Sequence, residues 1–184
     1  MTDIMTQNTS LMGESTNDSE NGNIIENERI KLLQWNICGV TRKYAILQSQ
    51  IIPGQHDIIL LQETLLRENK PFSLKGYTVY RTHYDERGRG LLTLVKDTIP
   101  SKQINNIDCG DETETLSIEI TLLNTSLFVH NIYKRPNCNL EGDILFNCAS
   151  SESTIFAGDF NAHHPCLNSP RVSNPTGTHL NQLM

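Results

Sequence analysis

From Ile30 onward, short apolar runs alternate with turn-forming residues, a pattern typical of many strands and few helices. Continuous or alternating apolar runs predict seven strands, at Ile30–Trp35, Asp57–Leu61, Tyr77–Arg81, Leu91–Val95, Leu116–Leu122, Leu127–Tyr133 and Ser153–Ala157. The Asn-Thr-Ser sequence at residues 124–126 predicts a hairpin turn between the fifth and sixth of these strands.

Two segments have the spacing of apolar residues that is typical of helices. The first is Tyr44–Ile52, which Pro53-Gly54 would end, and the second begins near Thr178 and runs to Met184. Strands that follow one another with few helices between them predict an α+β fold. We expect a four-layer α/β sandwich, in which two packed, mainly antiparallel β-sheets are flanked by helices.

The charge of the chain is concentrated at its N-terminus. Residues 1–28 contain six acidic residues and no lysine or arginine, and they lack apolar periodicity, which predicts a disordered acidic tail. Removing these six from the 21 acidic residues leaves 15, equal to the 15 lysines and arginines. Residues 29–184 therefore form a neutral body, long enough for one domain, that can bind a phosphate backbone with strong salt sensitivity.

Cysteine usage and apolar content limit the class of protein. The five cysteines are odd in number and include no Cys-x-x-Cys pair, which argues against a disulfide framework and a zinc ribbon. The N-terminus lacks the basic-then-apolar order of a secretory signal, and no apolar run approaches the length of a membrane span. We therefore expect no export and no membrane partner.

Four of the predicted strands end in polar clusters of a similar kind. Asn36, Gln62-Glu63 and Asp159-Phe160-Asn161 each follow an apolar strand, and Tyr133 begins the cluster after a fourth. Adjacent strand ends bring such groups into one crevice. In an extended chain Asp159 and Asn161 would also project to the same side, because side chains alternate with period two.

The chemistry of these residues favours a metal-assisted reaction at phosphate. Carboxylate and amide oxygens without thiols or convergent histidines suit Mg²⁺ or Mn²⁺ rather than zinc. A cation beside a carboxylate base, an amide donor and a phenol suits phosphodiester hydrolysis. Each residue alone also has a structural explanation: Asn36 as a turn residue, Glu63 as an acid at a helix start and Tyr133 as a strand aromatic. Their common position at strand ends favours the site.

Four motifs occur in order along the chain: Leu33-Gln34-Trp35-Asn36, Leu60-Leu61-Gln62-Glu63-Thr64, Ile132-Tyr133-Lys134-Arg135-Pro136 and Gly158-Asp159-Phe160-Asn161-Ala162-His163. Over roughly residues 30–184 the chain resembles the endonuclease/exonuclease/phosphatase family, which includes abasic-site repair endonucleases and pancreatic deoxyribonuclease. It is most similar there to the target-nicking endonuclease domains of non-LTR retrotransposons. The features that point to them are the Gly-Asp-Phe-Asn-Ala-His-His-Pro string at 158–165, Gly88-Arg89-Gly90 leading into Leu94-Val95-Lys96, and Asn174 with Gly177 before Leu180.

The resemblance implies a role for each site residue. Asn36 and Glu63 would hold Mg²⁺, with Mn²⁺ as a possible substitute, and Asn36 would thereby take part in catalysis. Tyr133 would help to position the phosphate. Asp159 would orient or deprotonate the attacking water, and Asn161 would stabilise the transition state. The implied substrate is duplex DNA, in the nucleus or cytoplasm, and a full-length element would carry a reverse transcriptase domain.

Four basic residues near these motifs are candidates for nucleic-acid binding: Arg87, Arg89, Lys134 and Arg135. Such side chains in loops beside a phosphate site contact the DNA backbone in many complexes. The alternative interpretation is a set of solvated loop charges.

The sequence also departs from the family pattern. Cys38 stands where repair enzymes carry an acidic residue, which argues against abasic-site repair, and Cys166-Leu167 replaces the usual apolar residue and tryptophan. The closing strands with their Ser-Asp-His-like segment have no counterpart, and His163, His164 and His179 do not stand in that motif. We therefore expect a domain incomplete at its C-terminus. A non-catalytic remnant and a phosphatase-like member of the same fold stay open as alternatives.

Overall fold

The computed structural model describes residues 29–51, 55–86, 88–110, 112–122, 125–136, 140 and 153–183. Within them lie the strands β1 (Leu32–Asn36), β2 (Ile58–Gln62), β3 (Tyr77–Arg81), β4 (Leu92–Lys96), β5 (Ser101–Gln103), β6 (Thr113–Thr121), β7 (Ser126–Lys134) and β8 (Thr154–Asp159). The helices are α1 (Val40–Gln50), α2 (Pro175–Leu183) and a short 3-10 helix (Pro165–Leu167). The predicted tail at residues 1–28 lies outside the described residues.

The eight strands of the described part form two four-stranded sheets. The strand orders are β1-β2-β4-β3 and β5-β6-β7-β8. Each sheet contains one parallel pair, β1 with β2 and β7 with β8, and its other pairs are antiparallel. The predicted hairpin is present as β6 and β7, which pair from Thr121 opposite Ser126 to Thr113 opposite Lys134. The predicted two mainly antiparallel sheets are thus confirmed.

One helix packs against the outer face of each sheet. Val40 and Leu47 of α1 are buried against aliphatic side chains of β1, β2 and β4. Leu180 of α2 packs near Ile132 and Phe156 on the far side of the second sheet. The order helix, sheet, sheet, helix gives the four layers that the sequence predicts. Among the described residues, no helix has the length and apolar character needed to cross a membrane.

The space between the sheets changes from apolar to polar toward the strand ends. Ile58 and Leu60 of β2 pack against Val129 of β7 in a fully buried aliphatic cluster. Two residues further along the same strands stand Gln62 and Asn131, which therefore face the same interior. Burying an amide is costly unless its hydrogen bonds are made. The pattern thus places a polar layer directly beyond the core.

Gln34, Gln62 and Asn131 form this amide layer, and their side chains hydrogen-bond to one another and to the backbone of β4. Gln62 donates to the Asn131 side-chain oxygen at 2.7 Å and accepts from Gln34 Nε2 at 2.6 Å. Asn131 Nδ2 also donates to the carbonyl oxygen of Leu92 at 3.0 Å. These bonds join β1, β2, β4 and β7 at one level, so the amide layer fixes the spacing of the sheets below the strand ends.

Helix α1 begins four residues before the predicted start at Tyr44 and ends before Ile52, which lies outside the described residues with Pro53-Gly54. Its N-cap is Gly39 at φ 99°, without a side-chain hydrogen bond. Polar N-cap residues are the usual sign of a helix start, so the sequence offers no such sign here. Instead, the backbone N–H of Val40 donates to the Thr64 carbonyl at 2.9 Å, a tertiary contact.

Strands β7 and β8 lie so close together at Gly158 of β8 that a larger residue would not fit there. Gly158 has φ 154°, and a Cβ there would overlap the carbonyl oxygen of Ile132, its partner on β7. We expect Gly158→Ala to destabilise the fold by about 4 kcal/mol or more, because backbone must move. Gly76→Ala is the control, since Gly76 has φ 87° but a Cβ added there would meet no heavy atom of the described residues within 4 Å. It should cost only about 1–2 kcal/mol. Equal unfolding temperatures for the two variants would contradict the close approach.

His130 of β7 gives the stability a pH dependence. Burial lowers the pKa of its imidazole from 6.5 to about 4, and the ring is hydrogen-bonded to Ser117 Oγ at 2.7 Å and stacked on Phe156. Because the unfolded chain takes up this proton below about pH 6.5 and the folded chain only near pH 4, stability is lost as the pH falls between these values. The full loss is about 3 kcal/mol.

Urea unfolding at pH 6.5, 5.5 and 4.5 measures this loss. We expect His130→Gln to flatten the dependence and the loop variant His164→Gln to preserve it. If the free energy of unfolding falls with pH equally steeply in His130→Gln and in the wild-type protein, other groups cause the acid sensitivity.

Candidate active site

The carboxyl ends of the two parallel strand pairs meet at one end of the sandwich. Asn36 ends β1, Glu63 follows β2, Tyr133 is the penultimate residue of β7 and Asp159 ends β8. Parallel neighbours end on the same edge of a sheet, and the amide layer holds the two edges together. The structure therefore brings together the four polar strand ends that the sequence singles out.

Asn36 links the two acidic residues of the site. Its Nδ2 donates to Glu63 Oε1 at 3.0 Å and to Asp159 Oδ2 at 2.7 Å. Ionised carboxylates only accept hydrogen bonds, so the atom between them must be the amino group of the amide. The remaining atom, Oδ1, is buried and has no hydrogen-bond partner among the described residues. A buried acceptor without a partner is costly, which makes Oδ1 a candidate ligand for a cation.

The backbone around Glu63 is held in an uncommon conformation. Glu63 has φ 50° and Leu65 has φ 53°, a region that few residues other than glycine adopt. The Glu63 carbonyl accepts from the N–H of Gly39 at 2.8 Å, and the Thr64 N–H donates to the Gly90 carbonyl at 3.0 Å. The segment after β2 is thus fixed between two loops. Strained backbone of this kind is found at functional sites, where the surrounding structure maintains it.

The phenol of Tyr133 is directed to Glu63. Tyr133 is almost completely buried. Burial, its hydrogen bond to Glu63 and the negative charge of Glu63 raise the pKa of the phenol well above its usual value of 10. The phenol of Tyr133 therefore stays protonated, and its O–H donates a hydrogen bond to the Glu63 carboxylate. In this structure it orients Glu63, in addition to the phosphate-positioning role that the resemblance implies.

Asp159 and Asn161 are joined in a different way from the extended chain expected from the sequence. Strand β8 ends at Asp159, and Asn161 has φ 46°, so the period-two argument does not apply to this pair. The backbone N–H of Asn161 donates to Asp159 Oδ1 at 2.9 Å, and its Nδ2 donates to the Lys134 carbonyl at 2.8 Å. One carboxylate oxygen is therefore held by Asn161 and the other by Asn36.

The model of the Endonuclease/Exonuclease/phosphatase family matches residues 33–180. The chain belongs to this family. The match contains all four strand-end motifs, and the two mixed sheets agree with the family's α/β sandwich. Members of this family are nucleases and phosphatases, which are hydrolases. No curated protein matches the chain in sequence.

Solved structures of other proteins share the fold. The endonuclease domain of TRAS1, a telomere-specific non-LTR retrotransposon, has a TM-score of 0.56 at 13% identity, over 83% of this chain and 68% of that one. The AP endonuclease LMAP from Leishmania major has a TM-score of 0.60 at 13% identity, over 80% and 60%. The 3′ phosphatase NExo from Neisseria, bound to a product DNA hairpin, has a TM-score of 0.54 at 14% identity, over 83% and 69%. The chain thus spans 60–69% of their lengths.

A loop before β4 brings a cation to the site. Arg89 NH1 lies 3.9 Å from Glu63 Oε2, and the side chain is half exposed. Glu114 at the start of β6 holds this loop by accepting from the backbone N–H groups of Arg89 at 2.6 Å and Gly90 at 2.9 Å. Burial raises the pKa of Glu114, against the lowering effect of these two N–H groups. Sequence reasoning missed Glu114, because only the tertiary contact distinguishes it from other polar strand residues.

The other predicted nucleic-acid contacts have different surroundings. The Lys134 side chain is almost completely buried and its Nζ donates to the Arg135 carbonyl at 2.7 Å, so its contact with DNA stays a prediction. Lysine at a strand end beside an apolar core buries its stem, which its charge alone does not reveal. Arg135 pairs with Glu112 at 2.8 Å, and Arg87 lies outside the described residues.

The oxygen atoms of the site fit a magnesium ion. Asn36 Nδ2 joins the carboxylates of Glu63 and Asp159, and Oδ1 of the same amide has no hydrogen-bond partner in the described part of the chain. In the described part of the chain, no group of three His, Cys, Asp or Glu side chains is placed to hold a metal. Mg²⁺ does not need such a group, because it retains several waters and binds through one or two carboxylates. Zinc, which prefers closed sets of nitrogen and sulfur ligands, fits poorly.

The histidines and cysteines near the site have structural surroundings. The His163 ring lies 3.2 Å from Ser169 Oγ, and His164 Nδ1 accepts from the Cys166 N–H at 3.2 Å. Of the five cysteines, the three described ones, Cys38, Cys109 and Cys166, are free thiols. The histidines thus lie in a loop after the site, in agreement with the sequence analysis.

Proposed function

We propose that the chain is a Mg²⁺-dependent phosphodiesterase that nicks duplex DNA, as an endonuclease domain of the retrotransposon type. The observation that carries this proposal is the arrangement at Asn36. Its amino group donates to the carboxylates of Glu63 and Asp159, while its buried oxygen has no hydrogen-bond partner within the residues that the structure describes. The two carboxylates bring negative charge to the neutral Asn36 amide, and the amide oxygen is an acceptor that is still open. Both features support a cation site more than a purely structural cluster.

In this mechanism Asn36 and Glu63 would hold the ion, which supplies positive charge to the phosphate oxygens when bound. Asp159 orients a water and takes its proton as the water oxygen attacks phosphorus and the bond to the leaving sugar oxygen breaks. The Asn161 side chain donates to the negative charge that develops on the phosphate. Tyr133 keeps its proton and orients Glu63. Arg89, half exposed beside Glu63, would contact a flanking phosphate.

DNA as substrate is supported by the similar structures. The Neisseria structure contains a product DNA hairpin, and the TRAS1 domain is named as a retrotransposon endonuclease. The choice of duplex DNA, and a reverse transcriptase in the complete element, belong to the proposal. Contacts through Arg89 and Arg135 would make binding fall steeply with salt.

A phosphatase activity is the second candidate, because the similar Neisseria structure is named a 3′ phosphatase. A substrate panel distinguishes the two. It comprises supercoiled plasmid, a duplex oligonucleotide with a 3′ phosphate, and a small aryl phosphate, each with Mg²⁺ and with EDTA. We expect Mg²⁺-dependent conversion of plasmid to the open circular form. Release of inorganic phosphate with intact plasmid would support the phosphatase, and no reaction by the folded chain would support a non-catalytic remnant.

A further inference from the structure

Asn161 reaches its position through contacts outside its own strand. Its backbone is in the left-handed region at φ 46°, which asparagine tolerates better than most residues. Its N–H and its side chain are held by Asp159 and Lys134. The third group, the Asn161 carbonyl, accepts a hydrogen bond of 2.7 Å from Asn174 Nδ2. Asn174 thus completes the set of contacts that fixes this residue.

Asn174 makes three side-chain hydrogen bonds in two directions. Its Oδ1 accepts from the Gly177 N–H at 2.8 Å, which is the usual contact of an N-cap residue with the first turn of its helix. The same oxygen accepts from the His163 N–H at 3.0 Å. The Asn174 backbone N–H donates to the His163 carbonyl at 2.9 Å. One residue therefore caps α2 and ties the helix to both ends of the segment 161–163.

Gly177 permits this contact. A Cβ at Gly177 would overlap the backbone of His163, including its carbonyl oxygen. Any larger residue would push the start of α2 away from the segment that carries Asn161. Asn174 and Gly177 thus act together at their three-residue spacing. Asn174 supplies the hydrogen bonds, and Gly177 leaves room for the backbone of His163.

We infer that Asn174 is a positioning residue, which sets the rate of the reaction by holding the backbone of Asn161. This inference rests on the proposed function, in which the Asn161 side chain donates to the reacting phosphate. Asn174 does not touch the substrate in this account. A displacement of about 1 Å at a reacting group lowers rates by about 100-fold. Loss of the Asn174 contact should therefore lower kcat and leave KM unchanged.

Asn174→Asp separates positioning from helix capping. Aspartate caps helices as well as asparagine does, so the bonds to Gly177 and His163 remain. Its second oxygen cannot donate to the Asn161 carbonyl and faces it with like partial charge. Asn174→Ser, which caps the helix but is too short to reach Asn161, is a second variant without added charge. Asn168→Asp is the control, because it adds the same charge to the same loop at an exposed residue.

In plasmid nicking with the full chain, we expect Asn174→Asp and Asn174→Ser to lower kcat by about 10- to 100-fold at unchanged KM. Unfolding temperatures should stay close to that of Asn168→Asp, which should keep wild-type kcat. Wild-type kcat in both Asn174 variants would overturn the inference, and so would a fall in kcat matched by Asn168→Asp.

A second readout does not depend on activity. By NMR, the one Asn161 side-chain amide proton that Nδ2 donates to the Lys134 carbonyl should exchange slowly with solvent in the wild-type chain. We expect faster exchange in both Asn174 variants and wild-type exchange in Asn168→Asp. Unchanged exchange in the Asn174 variants would overturn the inference. If the wild-type chain does not nick DNA, the proposed function fails and this exchange still decides whether Asn174 positions Asn161.

Discussion

Asp159→Asn is expected to lower the plasmid-nicking rate by about 10²- to 10⁴-fold, the usual contribution of a general base. The amide cannot take the proton of the attacking water. It also presents an amino group either to Asn36 Nδ2 or to the Asn161 N–H, both of which are donors in the present structure. This conflict should cost about 1 kcal/mol of stability, far less than the loss of rate. Rates are compared at equal concentrations of folded protein, by densitometry of plasmid forms.

Asp97→Asn is the matched control for this variant. Asp97 is exposed and accepts from Thr78 Oγ1 at 3.0 Å, away from the site, so the control removes one negative charge of the same kind. We expect it to nick at the wild-type rate. If Asp159→Asn and Asp97→Asn nick equally fast, Asp159 is not the base.

Glu63→Gln is expected to remove most Mg²⁺ binding and, with it, most nicking. Glu63 supplies one of the two carboxylates that offset the charge of the ion. Loss of a residue that only hydrogen-bonds to a metal-binding side chain lowers metal affinity by about 10- to 100-fold. Loss of the metal-binding carboxylate itself should lower the affinity by more than this. The substitution keeps the size of the side chain and one acceptor oxygen for Asn36. Calorimetric titration with Mg²⁺ and Mn²⁺ measures the affinity, and plasmid nicking measures the rate.

Glu119→Gln provides the comparison for Glu63→Gln. Glu119 lies on β6, where it pairs with Lys102 at 2.8 Å, and the same change there removes a charge far from Asn36. We expect wild-type affinity and wild-type nicking from it. A Glu63→Gln protein that binds Mg²⁺ as tightly as Glu119→Gln would exclude Glu63 as a ligand.

The sequence predicts the sheets well, because their signals are local. The apolar run of β2 and the alternating pattern of β6 survive in the structure with shifts of one to three residues at their ends. β5 was not predicted, because its three residues are polar and pair only along one edge. The start of α1 was missed for a related reason, since a backbone contact to Thr64 replaces the capping side chain.

In the candidate site, too, local sequence signals could be predicted and tertiary contacts could not. Asn36, Glu63, Tyr133 and Asp159 could be placed together because each ends a strand, and parallel pairing brings strand ends to one edge. What each side chain contacts could not be predicted. The buried position of Lys134 and the capture of a loop by Glu114 depend on the packing of residues far apart in sequence.

We propose that Asn36 and Glu63 form the metal site of a phosphodiesterase, with Asp159 beside it as the base. Stepwise addition of Mn²⁺ to the ¹⁵N-labelled chain tests it most directly, because the bound ion broadens NMR signals of nearby residues. We expect the signals of these three residues and of Tyr133 to broaden first, and added Mg²⁺ to restore them. Glu63→Gln should abolish the effect. Broadening that begins elsewhere, for example in the acidic residues 1–28, with the signals of the site unchanged, would contradict the account.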